Sequence, residues 1–339
     1  MPRSVLLFGS QSGSWERCHP NHKKGAETRV GLAGLDGIVS FAALGAVRLP
    51  VSLARIDPAL RPEVAIQPLN FHPLYFATDC GRLYGVHHFP EKGQANGQAI
   101  LIAPPMGQDY VRSHKTLQKL ATDLAGIGYH VLRFDYAGTG DSSDLDDCDL
   151  NAWKRNALDA LRELSERSET HRLSIVGVRL GASLAVSLDT SLDSLVLWDP
   201  VTSGSDYLDE LNVLNAELLE TTLHSLRANS RSNQATDELV GHKCTEAMQE
   251  SLRDFSLEAS LNVRPGRTLV IESSDARSSE TPLPILDELS DSECRRHRLD
   301  MSCHWRSRTE LTKTLMGQPA IGVILKFFGD RNLYEGRRV

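Results

Sequence analysis

The 339-residue chain predicts an α/β fold, a mostly parallel central sheet flanked by helices, and three observations carry that prediction. From Ala99 onward, short apolar runs alternate with stretches of helical period, the pattern of successive strand-helix units. The first of these runs, Ala99-Ile100-Leu101-Ile102-Ala103, is apolar throughout, as a strand covered on both faces is. Residues 172–188, Arg-Leu-Ser-Ile-Val-Gly-Val-Arg-Leu-Gly-Ala-Ser-Leu-Ala-Val-Ser-Leu, read as strand, tight turn and helix, with Gly177 and Gly181 bracketing the turn.

Taken in order, residues 1–65 mix Gly, Ser, Pro and charge without a sustained period. They are expected to form a poorly ordered extension with one short helix near Ile38–Ala46. Residues 66–330 carry the α/β domain. Phe71–Ala77 and Leu83–Phe89, split by Thr78-Asp79-Cys80-Gly81, predict a β-hairpin. The strand 99–103 ends at Pro104-Pro105-Met106-Gly107, and Leu117, Leu120, Leu124 and Ile127 mark one face of a helix over Ser113–Ile127. Tyr129–Phe134 is the next strand, Asn151–Glu166 the next helix, and Ser194–Trp198 a strand ending in Asp199-Pro200.

Residues 204–260 break the alternation. Leu208, Leu211, Leu214 and Leu218 recur at helical spacing with no strand signal before Arg267, which predicts a helical cap inserted over 200–265. Thr268–Glu272 resumes the sheet and leads to Ser273-Ser274-Asp275. A helix over Leu283–Leu289 and a weak strand at Arg296–Leu299 precede Met301-Ser302-Cys303-His304-Trp305. Ile321–Phe328 closes the domain as a helix.

Composition narrows the function classes. The formal net charge is −7, and no basic stretch interleaves with aromatics, so no nucleic acid partner is expected. The six cysteines lack C-x-x-C spacing, which disfavours a disulfide framework or a metal site and makes a cytoplasmic location the default. Val30–Ala54 is interrupted by Asp36, Arg48 and Pro50, so no membrane span is expected there, and Val5–Phe8 is too short for a signal-peptide core. No motif calls for a cofactor.

The spacing Gly177-Val178-Arg179-Leu180-Gly181 is that of the G-x-S-x-G nucleophile elbow, with arginine in the middle place. Together with Pro104-Pro105-Met106-Gly107, the loop Phe134–Ser142, a late acid and a later histidine, it makes residues 69–330 resemble the α/β-hydrolase superfamily. Within that superfamily, Gly-Val-Arg-Leu-Gly-Ala together with Leu195-Val196-Leu197-Trp198-Asp199-Pro200 is similar to the hydrolase-like proteins that accompany bacterial exosortase and exopolysaccharide systems. The resemblance puts Arg179 at the nucleophile position, Asp275 as the acid with Asp199 as its rival, and His304 as the base with His297 as the weaker candidate. It also makes Met106, Gly107, Leu180 and Arg179 itself ligand-contacting residues.

A guanidinium is permanently charged and has no acceptor, so Arg179 cannot attack a carbonyl. Ser174 lies within the strand, Ser183 a turn into the helix, and Cys303 on the opposite side of the chain from His304; none replaces a serine at the apex. The expectation is therefore a hydrolase-like protein without serine chemistry that binds an anionic small molecule or a partner in the degenerate pocket; the subgroup likeness by itself also implies a purely structural partner of exopolysaccharide-pathway proteins. Two alternatives stay open. Arg179 could pair internally with Asp275 or Asp199, or the chain could be an acyl-ester or amide hydrolase using another nucleophile or a water activated by His304.

Overall fold

The computed structural model describes residues 70–79, 81–144, 148–225, 238–275 and 293–335, all within the unit Ile66–Val339. The extension 1–65, its short helix near Ile38–Ala46 and the expected helix at Leu283–Leu289 lie outside the described residues.

Eight strands form the main sheet: β1 (Phe71–Thr78), β2 (Gly81–His88), β3 (Ala99–Ala103), β4 (His130–Phe134), β5 (Leu173–Val178), β6 (Ser194–Trp198), β7 (Arg267–Glu272) and β8 (Glu293–Arg298). Their spatial order is β1-β2-β4-β3-β5-β6-β7-β8. The opening hairpin pairs antiparallel from Phe71↔His88 to Thr78↔Gly81, β2 runs antiparallel to β4, and every later pairing is parallel. The sheet is thus mostly parallel, and β3, β5 and β6 at its centre are the strands without a polar face.

Alternation along those strands divides the core into two layers. Ile100, Ile102, Val176, Val178, Val196 and Trp198 point to the face covered by α1 (Gly107–Gly126) and α6 (Gln318–Glu335). Leu101, Ile175, Leu195 and Leu197 point to the face covered by α2 (Leu150–Ser168) and α3 (Leu180–Val186). Each of these side chains is fully or almost fully buried. Burial on that scale stabilises by about 1.5–3 kcal/mol per large aliphatic side chain. Asp149 caps α2 by accepting from the Ala152 N–H.

Three boundaries differ from the sequence reading. Helix α1 begins at Gly107, six residues before Ser113, because its first turn is polar and shows no apolar period; Asp109 there suits the positive end of the helix. Helix α6 starts at Gln318 with Pro319 in its first turn and runs on to Glu335. Between β6 and β7, α4 (Gly204–Ser225) and α5 (Glu246–Arg253) are joined by a segment that includes Glu238–Leu239 paired with His242–Lys243. Two-residue strands are too short to leave a periodic signal. No helix among the described residues is long and apolar enough to cross a membrane.

Candidate functional site

The turn between β5 and α3 is sharp because its glycines have no room for a side chain. A Cβ on Gly177 would run into the Ala182 backbone, and one on Gly181 into the carbonyls of Ala103 and Pro104. Between them Arg179 adopts φ 52° and ψ −123°, a strained conformation for a residue with a side chain. The turn therefore lifts the Arg179 side chain above the C-terminal ends of the parallel strands, where open α/β sheets place their ligands.

That side chain is almost wholly buried. Arg179 is 7% exposed and lies under α4, with its guanidinium carbon 5.3 Å from the Tyr207 ring centre and 5.6 Å from that of Trp305. Among the described residues its polar contacts are two: Nε to Asp109 Oδ2 at 3.3 Å, and a terminal nitrogen to Glu210 Oε2 at 3.5 Å. Both exceed the about 2.7–2.9 Å of a well-formed charge-assisted bond. Glu210 is held more closely by Arg306 Nε, 2.8 Å from its Oε1. Tyr207 donates its hydroxyl to Asp109 Oδ2 at 3.3 Å.

Burial works against the Arg179 charge, but Asp109, Tyr207, Glu210 and Asp199 more than offset it and hold the group protonated. Burial raises the Asp109 carboxyl, and Arg179 pulls it back down. Asp199 is likewise raised by burial, against the Trp305 and Ser273 hydrogen bonds that favour its charged form.

The acid and the histidine sit beside this cluster on two loops. Asp275 Oδ1 accepts from the Ser273 hydroxyl and the Cys303 N–H, each at 2.9 Å, and Oδ2 accepts from the His304 N–H at 2.8 Å. Burial acts to raise this carboxyl, but the bonds from Ser302, Cys303, Ser273 and His304 outweigh it and hold the group below its ordinary range. The His304 ring itself is farther off, with Nδ1 4.0 Å from Asp275 Oδ2 and 3.1 Å from the Ser302 hydroxyl. Its side chain is 56% exposed. Arg112 on α1 holds the loop from the other side by donating to the Cys303 and His304 carbonyls, both at 2.9 Å.

Arg179, Asp275, His304, Trp305, Arg306 and Ser307 line one cavity of about 260 Å³. Asp199 lines a much smaller neighbouring cavity and is engaged by Trp305 Nε1 at 2.7 Å and the Ser273 N–H at 2.7 Å. Met106 opens onto a different crevice, with Trp153, Lys243 and Met248. Leu180 is fully buried, Gly107 stands against the His242 ring, and His297 is exposed on β8. Ser183 is buried and donates to the Val201 and Arg179 carbonyls, Ser174 is buried within β5, and burial pushes the Cys303 thiol well up.

Sequence reasoning missed Asp109, Tyr207, Glu210, Arg306, Arg112 and Ser302. The only signals were an acid just past the Pro104–Gly107 loop and a Tyr-Glu pair three residues apart beside the leucine stripe of α4.

A sheet with one antiparallel strand next to the hairpin edge, parallel strands thereafter, helices on both faces and a sharp turn after β5 is the α/β-hydrolase fold. The structure of DcsB in complex with its substrate analogue has the same fold at a TM-score of 0.51 and 14% identity, covering 77% of this chain and 99% of that one. Est1E from Butyrivibrio proteoclasticus, solved with ferulic acid bound, matches at 0.48 and 15%, covering 76% and 98%. XC6422 from Xanthomonas campestris, described as a serine hydrolase without lid, matches at 0.44 and 13%, covering 69% and 85%. No family model and no curated protein matches the chain.

Proposed function

We propose that this chain is a hydrolase-like protein without serine chemistry, whose pocket binds a small anionic molecule at the place where the fold usually presents a nucleophile. One observation carries the reading: a buried guanidinium at the apex of the turn lines a cavity of about 260 Å³ together with Arg306 and His304, and its carboxylate neighbours approach no closer than 3.3 Å. A guanidinium has five donors, and two long contacts leave most of them available to a guest. The cavity is slightly smaller than the about 300–1,000 Å³ of common ligand pockets, which favours a small molecule. In this reading 200–265 acts as the cap, with α4 closing the pocket over Arg179.

Anion-dependent thermal stabilisation that is lost in Arg179→Ala is the expected result. Thermal shifts equal in both proteins would refute the anion site. A partner from an exopolysaccharide pathway is the reading that the sequence likeness favours.

A second reading, an active acyl-ester or amide hydrolase, has one observation in its favour. The Ser302 hydroxyl lies 3.1 Å from His304 Nδ1, the spacing of a nucleophile and its base. Ser302 is also engaged with Asp275. A fluorophosphonate probe separates the two readings: no labelling is expected, whereas labelling abolished by Ser302→Ala would establish the hydrolase.

A further inference from the structure

Glu210 already occupies a seat for a carboxylate. It reaches down from α4 with its side chain 11% exposed and places one oxygen 2.8 Å from Arg306 Nε and the other 3.5 Å from the Arg179 guanidinium. The two arginines come from unrelated parts of the chain, Arg179 from the turn after β5 and Arg306 from the loop after His304. What they share is one planar, two-oxygen anion. The fit to the two arginines is unequal, close to Arg306 and long to Arg179.

Deepening the anion-site reading on which it rests, we infer that the ligand is a small monocarboxylate that displaces Glu210 from between Arg179 and Arg306 and releases α4. The charge around the seat selects for a single negative charge. Asp109 and Asp199 stand close to Arg179, Asp199 and Asp206 line the small cavity that Glu210 shares with both arginines, and Asp275 lines the larger cavity beside it, so a doubly charged phosphate meets about twice the repulsion that a monocarboxylate does. Displacement also supplies a mechanical output. Tyr207 and Glu210 tie the first turns of α4 to Asp109, Arg179 and Arg306, and Glu210 is the tie that a competing carboxylate removes.

Competition gives the test its sign. Sodium butyrate is titrated calorimetrically at about pH 8.5 into the wild-type protein, Glu210→Gln and Arg179→Ala, with inorganic phosphate, which is the dianion at that pH, as the comparator and circular dichroism to check that each variant is folded. Glu210→Gln, which keeps the side-chain shape and removes the internal competitor's charge, is expected to bind butyrate about ten-fold more tightly than wild type. Arg179→Ala is expected to lose binding, and phosphate to bind more weakly than butyrate throughout. Wild-type binding that Glu210→Gln leaves unchanged or weakens overturns the displacement while leaving the anion site standing. Phosphate binding more tightly than butyrate overturns the ligand class alone. If no anion binds to wild type or Glu210→Gln, both the displacement and the anion site fall.

Should Glu210→Gln not fold, the wild-type protein still decides. Saturating butyrate is expected to speed amide hydrogen exchange in α4 while slowing or sparing it in α1, and slower exchange in α4 overturns the release.

Discussion

Arg179 sits where a small residue would be the easier choice, and the surrounding groups are arranged to hold it there. Its φ of 52° is strained and its charge is buried, so its retention depends on Asp109, Glu210 and the two aromatic rings. Asp109 depends on Arg179 in return, since no other cation is in direct contact with it among the described residues. Arg179→Ala is expected to lower stability by about 3–5 kcal/mol, the usual cost of stranding a buried charge. Adding Asp109→Asn to that variant should recover part of the loss, because the stranded charge is then gone. Denaturant unfolding of the two single variants and the double variant measures this directly. Strictly additive losses would show that the pair is not coupled.

At the scale of elements, the β1-β2-β4 edge carries a pH dependence of its own. His87 and His88 are buried on β2, and each is pushed down to about 4 from an ordinary value of 6.5. Burial is the main cause for both, joined by His130, Arg167 and His72 around His87 and by Arg133 and His87 around His88. Between those values the unfolded chain takes up protons that the folded chain refuses, so stability falls as pH drops from about 6.5 toward about 4. The carboxyl of Asp275 adds to this from lower pH: its native value is depressed, so its contribution is lost as pH falls through the acid range. Melting temperature followed from pH 7 to pH 4 is expected to fall less steeply in His87→Gln than in wild type; an identical slope would remove His87 from the account. The same element shows where sequence reading works. A hairpin or a doubly buried strand declares itself by local period, and β1, β2 and β3 were legible to within a residue or two. The ion cluster was not, because Asp109, Arg179, Glu210 and Arg306 meet only after α1, the turn, α4 and the His304 loop have folded onto one another. Arg179 was visible through its glycine frame, whereas its partners have no frame. The sequence candidates for internal pairing, Asp275 and Asp199, are instead bound chiefly to the loops beside the cluster.

For the whole molecule, the question is whether the α/β-hydrolase fold of this chain holds a working catalytic arrangement beneath the arginine. Catalysis by an elbow serine needs a base whose far ring nitrogen is held by the acid, so that the near nitrogen faces the hydroxyl. In this chain Asp275 spends its oxygens on the Ser273 hydroxyl and the Cys303 and His304 backbone amides, and the His304 ring is held by Ser302 in an exposed position. Arg112 and Trp305 fix that loop to α1 and to Asp199, so a single substitution at the apex gives the imidazole no reason to swing back. Arg179→Ser would also leave the buried Asp109 carboxylate with the Tyr207 hydroxyl but no cation in contact among the described residues, a negative charge that disfavours the oxyanion formed during acyl transfer. Arg179→Ser is therefore expected to give no hydrolysis of p-nitrophenyl acetate above the wild-type background, even in the Asp109→Asn background that removes the stranded charge. Turnover that appears with Arg179→Ser and vanishes when His304→Ala is added would show the opposite, that the scaffold keeps a preorganised base and only the nucleophile is missing.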